Sequence, residues 1–376
     1  MKIELNDGVY EGSDFKGQPH GKGVLKYKNG DVYNGEFSFG RKHGKGVLKY
    51  ANGDVYEGAF SFDERWGHGV LKYANGDKLE GEFTSYGGCE NAKLTFKDGT
   101  ILEREEIGGG YIGGGRGKAK ITYKDGSVYE GELSYQGNNK PSGKGELTLK
   151  DGTKITDDHW LDGNLQTGKI FYKNGDVYDG WLKNLTPDGS GVYTKSNGDK
   201  YDGRFKGNNI TGVYLVNFAN GIKYDGKVVN GIPNGHGKQT MPNGTEYRGD
   251  FKNGVRNGRG ELKKATGDGY SGVFKNDKLV KTEKLIYSAT AYYKGGIKDF
   301  KRHGKGTYYY NSNVISGTFV EDKLVGKATV YKYGNYEVKG EFDGFYNAKN
   351  VYYKNSDGVT LYGKIVDGQF IELTKK

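Results

Sequence analysis

A tyrosine followed two residues later by glycine returns every 23 residues through most of this chain. It stands at Tyr10/Gly12, Tyr33/Gly35, Tyr56/Gly58, Tyr178/Gly180, Tyr201/Gly203, Tyr224/Gly226, Tyr247/Gly249 and Tyr270/Gly272. A fixed period of this length means one supersecondary unit stacked on copies of itself, each touching mainly its neighbours. Following the column through imperfect copies adds Leu79/Gly81, Tyr129/Gly131, Tyr293/Gly295, Ile315/Gly317, Val338/Gly340 and Leu361/Gly363. Leu102 and Ile155 hold the same place without the glycine, so the column has 16 starts. Repeats therefore fill the chain, and function must come from a long surface rather than from one central pocket.

The 376 residues are only 34% hydrophobic and include 67 Gly, 32 Tyr and five Pro. That is too polar for thick conventional cores. Disorder is excluded by the aromatic content of 14% and by the strict period. Cys89 is the single cysteine, so neither an intramolecular disulfide nor a cysteine-based zinc site can form. Met1–Gly12 has no apolar leader segment, and no stretch approaches the roughly 18 apolar residues of a membrane span. The expectation is a soluble, cytoplasmic protein without signal peptide or transmembrane segment.

Each repeat reads as one β-hairpin. Gly46-Val47-Leu48-Lys49-Tyr50 and Val55-Tyr56-Glu57-Gly58-Ala59-Phe60 are β-prone runs flanking Ala51-Asn52-Gly53-Asp54. Asn-Gly tolerates the positive φ angles of a two-residue type I′ turn. Equivalent Asn-Gly pairs stand at 29, 75, 174, 197, 220 and 243, with Asp-Gly at 98, 125, 151 and 357. A two-residue loop at Asn52-Gly53 predicts Lys49 opposite Tyr56 and Tyr50 opposite Val55. Tyr56, Gly58 and Phe60 then share one face, with Leu48, Tyr50 and Val55 on the other; a one-residue slip would exchange them. A second signature, Gly-x-Gly, follows each tyrosine by about eleven residues, as at Gly21/Gly23, Gly44/Gly46, Gly67/Gly69 and Gly235/Gly237, where bare backbone allows a ring to approach closely.

The fold class expected is all-β: an elongated, twisted, single-layer antiparallel sheet, a solenoid of about 16 β-hairpin repeats, on the order of 150 Å long at about 4.8 Å per strand. The run divides into regular repeats at 1–84, irregular repeats with insertions at 85–165 that form a bend, regular repeats at 166–280, and a divergent C-terminal cap at 281–376. In the cap, Lys349 and Val351 take the Gly-x-Gly column and Lys375-Lys376 ends the chain.

Tyr-x-Gly, then Gly-x-Gly, then Asn-Gly-Asp at this period resembles the MORN (membrane occupation and recognition nexus) repeat family, most closely over residues 56–77 and broadly over almost the whole chain. The resemblance implies the hairpin fold. It also implies a non-enzymatic structural scaffold, a protein–protein interaction platform in a cytoskeletal or ciliary (axonemal, radial-spoke-like) assembly, with homodimerisation through an open end or the twisted face. The alternative it implies is a peripheral membrane module that binds anionic phospholipids.

No motif in the chain calls for catalysis or a cofactor. Gly108-x-Gly110-x-x-Gly113 matches a dinucleotide fingerprint in letters, but Ile121-Thr122-Tyr123 before Asp125-Gly126 is another hairpin rather than a helix. Gly117-Lys118 lacks the rest of a phosphate loop. His20, His43 and His303 share one repeat phase, while His68 and His236 share another. One column recurs roughly every 10 Å, too far apart to share a metal. Asp157-Asp158-His159-Trp160 is a compact acid/base cluster with no nucleophile signature, and reads as a solvated corner with a packed Trp. The tyrosines keep a fixed structural phase, which argues against a nucleic-acid stacking platform.

Charge is uneven. Residues 1–188 carry 26 Lys+Arg against 29 Asp+Glu, and residues 189–376 carry 31 against 18. An acidic partner or a lipid surface is therefore expected on the second half, at Arg248, Lys252, Arg256, Arg259, Lys263 and Lys264, and at Lys294, Lys298, Lys301, Arg302 and Lys305.

Overall fold

The computed structural model describes residues 1–107, 118–134, 139–332, 336–354 and 356–373. The glycine run from Gly108 to Gly115, Gly117, Tyr135, Asn138, Lys375 and Lys376 lie outside these residues, as does the side chain of Asp158. The chain forms two compact units, Met1–Ser196 and Asn197–Lys376.

In the first unit the described strands run from Lys2–Glu4 to Thr186–Thr194, and each pairs antiparallel with the next in sequence. The second unit does the same from Lys200–Lys206 to Gln369–Glu372. Within each unit, strands pack essentially on the strands before and after them. This is the all-β hairpin solenoid that the period demands. The irregular stretch keeps the same order, since Cys89–Thr95, Ile101–Ile107, Ala119–Thr122 and Val128–Leu133 pair in succession.

The register differs by one residue from the sequence expectation. Leu48, not Lys49, faces Tyr56, and Lys49 faces Val55. The Asn-Gly connection is therefore longer than a two-residue loop. Tyr50 N–H donates to the Asp54 carbonyl at 2.9 Å and Gly53 N–H to the Tyr50 carbonyl at 3.0 Å, which leaves Ala51, Asn52 and Gly53 as a three-residue loop. Only Gly53 has a positive φ, +94°, as in a type I turn closed by a left-handed glycine. The two-residue turns lie at the other edge. There Phe62-Asp63 (φ 50° and 74°) and Asn253-Gly254 (51° and 84°) have the type I′ signature.

This one-residue difference puts Leu48 on the tyrosine face, where it is 6% exposed. One face thus collects the apolar side chains, and Val47, Val55 and Glu57 take the other. On the apolar face the rings form an alternating edge-to-face ladder: Tyr10 to Phe37 at 4.9 Å, Phe37 to Tyr33 at 5.0 Å, Tyr33 to Phe60 at 4.9 Å, Phe60 to Tyr56 at 5.1 Å and Tyr56 to Phe83 at 4.9 Å. Tyr33 and Tyr56 each lie between the phenylalanine of their own repeat and that of the next, Tyr10 meets only that of the next, and all three are fully buried without a second layer. In the second unit Tyr224, Phe251, Tyr247 and Phe274 continue the arrangement. Toward the C-terminus, Phe319, Leu324, Val338, Phe342 and Val351 replace it with an aliphatic-rich core around Tyr293.

The two glycines of Gly-x-Gly answer different demands. Gly67, the first, sits at φ +65° where the register shifts after Gly58. Gly69, the second, lies under the Tyr56 ring, and a methyl group there would meet the ring's Cζ at 2.7 Å. At the opposite edge, successive Asn-Gly-Asp loops are tied together. Asp54 Oδ1 accepts from Ala74 N–H at 2.8 Å, Asp31 from Ala51 at 2.8 Å and Asp199 from Ala219 at 2.9 Å. The aspartate thus satisfies a backbone donor of the next repeat.

Candidate functional site

With the aromatic face consumed by its own packing, the surfaces left to meet a partner are the opposite face and the two edges. Pairing aligns the opposite face into rows that cross the strands. In the first unit one row runs Val47, Glu57, Val70, Glu80, Lys93, Glu103, Lys120, Glu130. Exposed ion pairs sit on this face, Lys78 to Glu80 at 2.7 Å and Lys154 to Glu146 at 2.7 Å, and such pairs add little stability. A groove of about 690 Å³ lies over it, lined by His68, Glu80, Glu82, Lys93, Glu103 and Lys120 among others.

In the second unit the corresponding row runs Lys238, Arg248, Glu261, Ser271, Lys284, Lys294. Of the cations expected from the sequence, Arg248, Arg259, Lys263, Lys294 and Lys305 lie on this face. The Arg259 side chain is 80% exposed and its Nη2 reaches Glu283 at 3.7 Å. Lys252, Lys298 and Lys301 flank the type I′ turns. Lys264 belongs to the other edge, where its Nζ meets Asp268 at 2.6 Å.

Arg256 and Arg302 are elsewhere. Arg256 pairs with Phe251, and so reaches the aromatic face. Its guanidinium lies 5.6 Å from the Tyr247 ring and 5.7 Å from Phe274, with Nε bonded to Asp277 at 2.9 Å. Arg302 sits 4.8 Å from Tyr308, 5.0 Å from Phe345 and 5.3 Å from Phe319, and bonds Asp322 at 3.1 Å. Their side chains are 18% and 12% exposed. The sequence expectation puts both in a partner-binding cluster; here they stand over ladder rings in cation–π contact, apart from the exposed cations of the opposite face. The readable signal was the column nine residues after the tyrosine, where Lys42, Arg65, Arg256 and Arg302 alternate with Pro19, Pro187 and Pro233. Arg65 stands over Tyr56 and Phe83 in the same way.

Two further groups joined to the basic face were hidden by the register. Tyr292 and Tyr309 are stacked at 4.5 Å on this side, not in the buried ladder. The Nζ atoms of Lys284 and Lys294 lie 5.5 and 5.6 Å from the Tyr292 ring, and Lys284 also bonds Glu261 at 2.8 Å.

The remaining chemistry-bearing side chains stay dispersed. His68 meets Glu82 at 3.2 Å and His236 meets Asp250 at 3.1 Å, each on an exposed face. His159 Nδ1 lies 3.1 Å from Asp157, while Trp160 is buried against Tyr129 and donates to the Gly145 carbonyl at 3.0 Å. Cys89 is buried, which pushes its thiol up to about 11. Among the described residues no cluster of three or more His, Cys, Asp or Glu could hold a metal ion. No helix among them is long and apolar enough to cross a membrane.

The MORN repeat model matches eight segments: residues 10–32, 33–55, 56–78, 137–154, 186–200, 224–246, 247–269 and 293–314. A comparison with curated proteins gives no match. Among solved structures, the chain is similar to the TCP domain of Drosophila melanogaster SAS-4 in complex with a proline-rich motif of Ana2, at 17% identity and a TM-score of 0.28, covering 43% of this chain and 85% of that one. It is also similar to the TCP10 domain of Danio rerio CPAP in complex with a STIL peptide, at 13% identity and a TM-score of 0.19, covering 75% and 97%. Likenesses at these scores carry no functional argument.

Proposed function

Since the chain belongs to the MORN repeat proteins and is made largely of such repeats, we propose that it is a non-enzymatic scaffold that joins protein partners in a cytoskeletal or ciliary assembly, with its basic face in residues 197–376 as one docking surface. The observation that carries this reading is the division of labour between the faces. The aromatic side chains that could have formed a pocket are spent on the ladder between repeats, and the opposite face presents charges in rows at the repeat spacing.

On that face Arg248, Arg259 and Lys294 are exposed, and the side chain of Lys284 stands over Tyr292. Such a field suits an acidic partner, and its contribution is a salt-sensitive gain in association rate and specificity. The same field suits anionic phospholipid, which is the second reading.

Co-sedimentation of the full chain with polymerised microtubules and, separately, with phosphatidylserine vesicles tests both. The protein reading expects pelleting with microtubules, lost in the R248E/R259E/K294E variant and above roughly a few tenths molar salt, where screening shortens the reach of exposed charges. Pelleting with vesicles alone would replace it by the lipid reading, and a variant that pellets like wild type would overturn the assignment of this face.

A further inference from the structure

The type I′ turns carry residues with positive φ, and across the chain those positions mostly hold the side chains that tolerate it. The first turn residue is Asn184, Asn230, Asn253, Asn276 or Asp299, with φ between 48° and 51°, and at two turns a flexible charged side chain, Lys16 at 52° and Glu321 at 47°. In two consecutive repeats of the first unit it is phenylalanine instead, Phe39 at 48° and Phe62 at 50°. A bulky side chain is poorly suited to the left-handed region, whereas Asn adopts it at small cost. Both rings also face water, at 66% and 69% exposed.

The side chain that meets this position, nineteen residues earlier, changes in step. In the second unit the contact is polar: Asn234 Nδ2 donates to Asn253 Oδ1 at 3.4 Å, and Asn257 to Asn276 at 3.3 Å. In the first unit it is a ring pair, His20 on Phe39 at 5.4 Å and His43 on Phe62 at 6.1 Å. Trp66 holds the place of His20 and His43 in the next repeat and is 51% exposed. Phe15 joins the first rung, 6.2 Å from Phe39. The asparagine pairs show that the fold closes this contact without aromatics. Three successive repeats therefore carry exposed rings that folding does not require and that hydration opposes, and at Phe39 and Phe62 backbone strain opposes them as well.

We propose that this edge of residues 15–66 binds a proline-rich segment in the polyproline II conformation, with proline recurring every third residue along the rungs Phe39/His20, Phe62/His43 and Trp66. The periods match. Rungs recur every two strands, roughly 9.6 Å, and a polyproline II helix repeats every three residues, roughly 9.3 Å. A proline on each turn of the ligand thus meets an aromatic notch on each repeat of the protein, which is how aromatic-lined grooves read such segments elsewhere. The ligand has no internal hydrogen bonds to break, so it can follow the twist of the sheet.

The inference rests on the scaffold reading but uses a different surface from the basic face, so the two can fail separately. The test is fluorescence anisotropy of a labelled peptide of five Pro-Pro-Ala triplets titrated with the full chain, against a Gly-Ser peptide of equal length. Binding of the proline peptide alone is expected. It should weaken by about tenfold or more in the F39N/F62N variant and stay unchanged in R248E/R259E/K294E. The asparagines are native to the sister turns, so F39N/F62N should melt no lower than wild type, which separates lost binding from lost folding. Unchanged affinity in F39N/F62N, or no preference for the proline peptide, overturns the proposal. Flotation with phosphatidylcholine vesicles that depends on Phe39 and Phe62 would do so in favour of lipid insertion.

Discussion

The phenol of Tyr56 donates a hydrogen bond to the carbonyl of Ala59, 3.0 Å away and three residues along the same strand. Ala59 lies in the register shift between Gly58 and Phe60, so its carbonyl is turned out of the ladder and free to accept. Tyr33 to Glu36, Tyr129 to Glu132, Tyr178 to Trp181 and Tyr224 to Lys227 repeat the contact at 2.7 to 3.0 Å. Bulge, glycine and tyrosine are thus one device: the bulge exposes a carbonyl, the hydroxyl satisfies it, and the glycine makes room for the ring between them. This explains why the column prefers tyrosine over phenylalanine.

Replacing Tyr56 by Phe should therefore cost about 1 kcal/mol, because a partly buried carbonyl loses its donor while the ring contacts remain. Tyr293 is the internal control. Its hydroxyl is buried with no hydrogen-bond partner among the described residues, so Tyr293→Phe should be neutral or stabilising. Denaturant melts of the two variants check this, and equal losses would show that the hydroxyl contact is not what selects tyrosine.

Truncating Tyr224 to Ala should cost about 3 kcal/mol or more, since a fully buried ring leaves a cavity between two repeats. Gly46→Ala approaches the same contact from the other side. Its φ is unremarkable, but the new methyl group would collide with the Tyr33 ring, at a cost of about 1 to 3 kcal/mol from overpacking. Gly40→Ala meets nothing nearby yet sits at φ +81°, so its cost should come from backbone strain alone and be the smaller of the two. Thermal melts of the three variants rank them.

Charge reversal should separate structural from surface cations. Arg302→Glu places a carboxylate among Tyr308, Phe319 and Phe345 and opposite Asp322, and is expected to destabilise by about 3 kcal/mol or more, as when one partner of a buried pair is lost. Arg259→Glu, on an exposed side chain, should change melting by about 0.5 kcal/mol or less. Comparable melting shifts for both would contradict the placement of Arg302.

Alkaline pH should unfold the repeats by ionising the ladder. Burial pushes the phenols of Tyr56, Tyr224 and Tyr247 up to about 12, from an ordinary value of 10.0. The folded state thus holds these protons more tightly than the unfolded chain. The stabilisation is fully present below pH about 10 and is lost as pH rises toward about 12. Absorbance near 295 nm should show the ladder phenols ionising together at the unfolding transition. A single titration step at the ordinary value would rule this out.

Much of this architecture was written in one dimension. The 23-residue column names the repeat, the Asn-Gly signals order the hairpins, and the second glycine of Gly-x-Gly marks where a ring presses on backbone. Those features are local, because a turn or a missing Cβ acts within a few residues of itself. The tertiary structure decided the rest through parity. Whether the Asn52-Gly53 connection spans two or three residues sets whether Leu48 or Lys49 faces Tyr56, and side chains alternate faces at every step. That choice puts Leu48 in the core, with half-buried Tyr50 on the same face. At the other edge, the two-residue turns set Arg256 opposite Phe251 and Arg302 opposite Ile297, which draws both onto the rings. Their sequence says only that they are cations, but their position nine residues beyond a buried tyrosine brings them, once the hairpin closes, over aromatic faces that attract a positive charge.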